Sequence, residues 1–114
     1  MSLSKSDYLK YLTCPSYLWL WKNKPEVVPT DEDEAIKQRL EQGNEIERYA
    51  RLLFPEAKLI TSHGTTAKAA TEKLVASGAK TIFQATVITN EGLLAMADII
   101  TREDTSDTWT LYEV

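Results

Sequence analysis

Apolar and polar residues along this chain follow two different periods. Before Lys80 the apolar positions recur every three or four residues, and after it they recur every second residue. Ser4 followed three residues later by Asp7 is a helix N-cap signature, and Tyr8, Leu9, Tyr11 and Leu12 supply apolar surface until Cys14-Pro15 interrupts. Ser16 to Trp21 continues as a second short helix. Asn23-Lys24-Pro25 ends it, because proline disfavours a helical residue before it. After a Pro-bounded acidic linker, Thr30 or Asp31 is predicted to cap a long helix that runs to about Phe54 and stops at Pro55. Thr65 to Ser77 carries Ala67, Ala70, Leu74 and Val75 at helical spacing, with Gly78 placed for a left-handed C-terminal cap.

The strand-period part begins with Thr81 to Thr89, rich in Ile, Val, Phe and Thr. Asn90-Glu91-Gly92 is a hairpin turn into Leu93 to Arg102; the polar run Glu103 to Asp107 is a second turn, and Thr108 to Val114 is a third strand. The predicted fold class is α/β (α+β), with N-terminal helices packed on a three-stranded antiparallel β-meander. It forms one domain over 1–114: a basic aromatic helical segment 1–25, helices 31–78 and the meander 81–114.

Composition changes this picture little. A chain of 114 residues with 43% hydrophobic content suits one domain with a modest core. No apolar run reaches the eighteen or so residues of a membrane span, and the first residues lack a signal-peptide pattern, so the expectation is a cytoplasmic protein with no membrane contact. Cys14, a single cysteine, has no internal disulfide partner. The net charge of -4 gives no global reason for nucleic-acid binding. Its distribution is uneven: up to Pro25 there are Lys5, Lys10, Lys22 and Lys24 against Asp7, and acids crowd the segment from Glu26 to Glu34.

Three acids stand where hydrocarbon is expected. On the long helix, Ile36, Leu40, Gly43, Ile46, Ala50, Leu53 and Phe54 make an apolar stripe, and Glu47 falls inside it. It either faces the sheet for a purpose or is a helix-edge acid reaching solvent or an arginine. Asp98 is the only charge in the run Leu93 to Ile100, a pattern expected of a strand covered on both faces. Glu113 shares strand parity with Trp109 and Leu111 and is expected on the core side. A turn centred near Thr105 and Ser106 sets residue 98 opposite residue 113, with Cβ atoms roughly 4.5 to 5.5 Å apart. Opposed like charges need something positive between them, and a divalent cation with oxygen ligands answers that need. The alternative is one acid solvated at an edge and the other paired with Arg102 or Lys80.

These residues also carry a family resemblance. Ala97-Asp98-Ile99-Ile100, a short turn, and Leu111-Tyr112-Glu113-Val114 resemble the central motif of the PD-(D/E)XK nuclease superfamily, in its RecB-like and CRISPR-associated exonuclease branch. Leu3-Ser4-Lys5-Ser6 through Cys14-Pro15 and Trp19, and Gly43-Asn44-Glu45-Ile46-Glu47, resemble the earlier motifs of that branch in the same order. The resemblance implies an incomplete restriction-endonuclease-like core that hydrolyses phosphodiester bonds in DNA, single-stranded DNA included. It implies Mg²⁺ or Mn²⁺ held by Glu47, Asp98, Glu113 and the carbonyl of Val114, with Gln84 lining the site. The catalytic lysine of the family falls just beyond Val114, as do its crossover helix and next strand. The chain is thus expected to be the N-terminal part of a longer nuclease, inactive alone and able to self-associate through an unprotected last strand. Cys14 matches a position where some members bind an iron-sulfur cluster with three further cysteines; alone it reads as a small hydrophobe.

Two readings stay open beside the nuclease: a non-catalytic protein- or nucleic-acid-binding module that keeps the fold, and a small regulatory protein of another kind. Tyr8, Tyr11, Tyr17, Trp19 and Trp21 beside four lysines either stack bases along a single strand or form core. His63 sits in a predicted loop and is assigned nothing.

Overall fold

A computed structural model describes residues 2–29, 34–104 and 106–114. The predicted cap at Thr30 or Asp31, and Thr105 in the second turn, lie outside the described residues. In chain order the elements are β1 (Leu3–Ser4), α1 (Lys5–Thr13), α2 (Pro15–Asn23), a 3-10 turn (Pro25–Val27), α3 (Glu34–Leu52), β2 (Lys58–Leu59), α4 (Gly64–Ala76), β3 (Thr81–Ile88), β4 (Leu93–Thr101) and β5 (Thr110–Tyr112). Mixed α and β structure is thus present, but the sheet is not the three-stranded antiparallel meander expected. It is an open mixed sheet of five strands. The β3–β4–β5 meander is extended by two short parallel strands, β2 beside β3 and β1 beside β4. Strands β1 and β5 sit on the same edge of β4, at Leu93–Leu94 and Ile99–Thr101 respectively.

Local chemistry explains most boundaries. Ser4 caps α1: its hydroxyl accepts from the Asp7 N–H at 3.2 Å while the Asp7 carboxylate accepts from the Ser4 N–H at 2.9 Å. Pro15 opens α2 at a position where a missing N–H costs nothing. Gly78, at φ +86°, reverses the chain after α4, and the N–H groups of Gly78 and Ala79 satisfy the carbonyls of Val75 and Leu74.

The core is small and lies between α4 and the sheet, where Ile60, Ala67, Ile82 and Ala85 are buried, flanked by partly buried Leu74, Val75 and Ile100. Thr71 of α4 closes the outer edge of β3: its hydroxyl accepts from the Thr86 N–H at 2.9 Å and donates to the Ala67 carbonyl. That edge therefore offers one fewer donor to another strand.

Helix α3 departs from its predicted packing. Only its C-terminal end reaches the sheet, where Arg51 lies over the Phe83 ring and Phe54, just past the helix, meets Phe83 and Tyr112. Ile36, Leu40, Ile46 and Leu53 of the predicted core stripe are exposed. Strand β4 is likewise not covered on both faces, since Leu93 and Met96 are exposed. Among the described residues no helix is long and apolar enough to cross a membrane.

Candidate functional site

The site is built around Asp98, in the middle of β4. The β4–β5 ladder pairs Ile99 with Tyr112 and Ile100 with Leu111, and continuing that register by one step sets Glu113 opposite Asp98. The ladder itself ends at Tyr112, so Glu113 follows the last paired residue of β5. The backbone closes on the acid as well: the Val114 N–H donates to Asp98 Oδ2 at 2.9 Å.

On the other side of β4, Phe83 pairs with Ile99 and Ala85 with Ala97, which leaves Gln84 facing Asp98. Gln84 is the one described non-glycine residue at positive φ, +58°. Such a left-handed residue costs on the order of 1 kcal/mol and interrupts strand alternation. The consequence is visible in its neighbours. Phe83 meets Arg51 and Phe54, and Gln84, the very next residue, also reaches α3: its Nε2 donates to Glu47 Oε1 at 2.5 Å. Ala85 returns to the α4 side. The kink thus aims two consecutive side chains at α3 and draws Glu47 toward the strand position facing Asp98.

Glu47 is mostly buried, with 17% of its side chain exposed, and Arg51 Nη2 donates to the same Oε1 at 2.6 Å. Both expectations for Glu47 thus meet in one residue, which faces the sheet and is held by an arginine. Arg51 Nε is buried and finds no acceptor among the described residues. Glu113 corrects its expected placement. It is half exposed rather than on the core side, and Lys5 Nζ stands 3.8 Å from its Oε2. β5 lies at the sheet edge with Leu111 exposed, so parity with Leu111 carries no burial. The alternative partners are engaged elsewhere. Arg102 donates to the carbonyls of Ala79 and Val75 and stacks on Trp109, and Lys80 pairs with Asp104.

The donor set suits a hard divalent cation, since carboxylates and backbone oxygens are the ligands Mg²⁺ and Mn²⁺ take, often only one or two carboxylates with water and phosphate completing the shell. Asp98 and Glu113 are carboxylates of that kind, Asp98 Oδ2 accepting from the Val114 N–H and Glu113 standing beside Lys5. Three do not converge. Among the described residues no group of three or more His, Cys, Asp or Glu side chains is placed to hold a metal ion, and Glu47 is committed to Arg51 and Gln84.

Away from Asp98, four of the five aromatics of α1 and α2, Tyr8, Tyr11, Trp19 and Trp21, are exposed rather than core, Tyr17 is half-buried, and Lys10 lies 4.5 Å from the Trp21 ring. Cys14 is exposed, not a buried hydrophobe. His63 immediately precedes α4 and makes no side-chain cap bond there. Sequence reasoning missed the pair that ties α1 to α2. Asp7 is buried, and its Oδ2 accepts from Lys22 Nζ at 2.7 Å. Burial pushes the Asp7 carboxyl pKa up. The hydrogen bonds from Lys22 and Ser4, with the Lys22 charge, outweigh this and bring it down to about 2. Comparison of the chain with protein-family models, with curated proteins and with solved structures finds no match in any of the three.

Proposed function

We propose that the chain carries the metal-binding part of a phosphodiesterase site acting on DNA. In this reading Asp98 and Glu113 bind Mg²⁺ or Mn²⁺ at the β4–β5 edge and the carbonyl of Val114 adds a backbone ligand, while Glu47 of α3 stays outside the ligand set, bonded to Gln84 and Arg51. The bound cation would polarise the phosphodiester and lower the pKa of the attacking water. Gln84 holds Glu47 beside the strand, and Arg51 balances its charge. Lys5 supplies positive charge at the same edge, where a phosphate oxygen gains negative charge. The observation that supports the reading best is the placement of Asp98 between Gln84 of β3 and the segment just after β5, whose Val114 N–H bonds its carboxylate.

The test is calorimetric titration of Mn²⁺ into the chain and into Asp98→Ala, with hydrolysis of an end-labelled single-stranded DNA followed in parallel. The Asp98→Ala chain is expected to bind Mn²⁺ at least about tenfold more weakly. An identical Mn²⁺ response from both proteins would sink the assignment.

A second reading is favoured by the exposed aromatics of α1 and α2 and the lysine stacked on Trp21: a non-catalytic module that binds protein or nucleic acid. It predicts association with single-stranded DNA in EDTA that Asp98→Ala leaves unchanged, and the same Mn²⁺ titration for both proteins.

A further inference from the structure

Tyr8 and Tyr11 of α1, Leu18 of α2, Leu3 of β1 and Leu93 of β4 line an open cleft of about 590 Å³, with Lys5 at its rim. Helix α1 is inverted relative to an ordinary surface helix: Asp7 is its one buried residue, and Tyr8, Leu9, Tyr11 and Leu12 are exposed. Lys22 and the Ser4 cap hold Asp7 inward, and the apolar side of the helix is thereby turned outward. A smaller hollow shares Ser4, Lys5 and Leu94 with the cleft and extends it to Met96. Leu94, Met96 and Asp98 stand at alternate positions of β4 and so share a face of the sheet. Lys5 completes the connection, since its Nζ stands 3.8 Å from Glu113 Oε2. Apolar cleft and acidic edge thus form one trough, spanning about 13 Å along β4 from Leu94 to Asp98.

We propose that the cleft seats a base of single-stranded DNA whose phosphates run past Lys5 toward Asp98 and Glu113. The proposal rests on the phosphodiesterase reading and adds to it the place where the strand is gripped. The walls of the cleft suit a base, because two aromatic rings line it and every base has a face to lay on a ring. The charge at its rim suits the backbone. Residues 2–24 carry four lysines against Asp7, itself already paired with Lys22, in a chain whose net charge is -4. The trough ends at the two carboxylates, so a strand gripped in the cleft carries a phosphate past them. An acyl chain or an apolar peptide would fill the cleft but has no use for the trough. With Ser4 and Lys5 as the polar side chains of its walls, the cleft reads no base edge, and recognition by stacking is independent of sequence.

The test is fluorescence anisotropy, in EDTA, of a labelled oligodeoxythymidylate and of an abasic strand of the same length. The base-bearing strand is expected to bind at least about tenfold more tightly. Tyr8→Ala combined with Tyr11→Ala should bring its affinity down to that of the abasic strand, whereas the double phenylalanine variant, which keeps both rings, should retain it. Lys5→Met should weaken both strands alike. Because both tyrosines are exposed, the far-ultraviolet circular dichroism of the alanine variant should match the wild type. Equal affinity for the two strands overturns the proposal. Base-dependent binding that survives in the alanine variant overturns it equally, and its loss in Trp19→Ala, outside the cleft, would move the strand to the outer face of α2. Binding of neither strand also overturns it and leaves the cleft to an apolar ligand of another class. EDTA takes the metal out of this measurement, so the cleft stands or fails here, while the Mn²⁺ titration of Asp98→Ala decides the carboxylate pair.

Discussion

Ile82→Ala is expected to destabilise the folded chain by about 3 kcal/mol and to lower its melting temperature by roughly 10 °C or more, read by thermal denaturation at neutral pH. Ile82 is fully buried, the largest such side chain among the described residues, and sits at the start of β3. It packs among Ile60, Ala67 and Ala85, and opposite it on β4 stands Ile100. Two of its three core partners are alanines, which have no side-chain length to swing into a void, so the cavity should persist. The loss matters more here than in a larger core, because a domain of this size has only about 5 to 10 kcal/mol in hand. Ile82→Val, which removes one methylene, should cost about 1 kcal/mol. Equal melting temperatures for the wild type and Ile82→Ala would mean that the buried cluster is not what holds the chain together.

Lys22→Met is expected to cost about 2 to 3 kcal/mol, although it removes no hydrophobic contact. It would strand the Asp7 carboxylate, whose side chain is only 6% exposed, with the Ser4 donors alone. The same pair sets a pH dependence. The folded pKa of Asp7 is about 2, below the value near 3.9 of an unfolded aspartate, so the pair stabilises the fold above pH 4. That contribution, on the order of 2 kcal/mol, is lost as the pH falls from about 4 to about 2. Denaturant unfolding across this window should show the decline in the wild type and a shallower one in Asp7→Asn, whose stability is already reduced. Parallel curves for the two proteins would remove Asp7 as the source.

Local signals were legible in the sequence wherever a single residue type has one dominant use. Ser4 with Asp7, Pro15 after Cys14, Gly78 after α4 and Gly92 in the hairpin marked element ends, because caps and turns depend on residues only a few positions apart. The pairing of β4 with β5 was legible for the same reason: a short turn fixes register, and the register sets Ile99 against Tyr112 and Ile100 against Leu111. What stayed hidden depends on distance along the chain. Strands β1 and β2 are two residues each, too short for any period to show, and exist because β4 and β3 offer them an edge. The Asp7–Lys22 pair joins residues on different helices. The bareness of α3 is invisible to periodicity, which reports that a face is apolar and not what covers it. Gln84 carries no residue-type signal for a left-handed backbone, which Gly or Asn would have announced, so the kink that brings Glu47 to the strand could be found only in three dimensions.

Strand β1 docks on β4 through Leu3 and Leu93, some ninety residues apart, whereas β3 and β4 meet across a tight hairpin. Forming the first contact closes nearly the whole chain into a loop, and that entropy is recovered only once the hairpin and α4 have made a surface to dock on. The N-terminal segment is thus the last part to be sealed during folding and the first to open in the native state, and it brings Lys5 with it. Native-state hydrogen exchange should show this directly: the Leu3 amide, bonded to the Gly92 carbonyl at 2.8 Å, exchanges earlier than the amides of Ile82 and Ile99. If Leu3 exchanges first, the Lys5 charge beside Glu113 depends on a contact closed across ninety residues of chain, and is the part of that edge most easily lost.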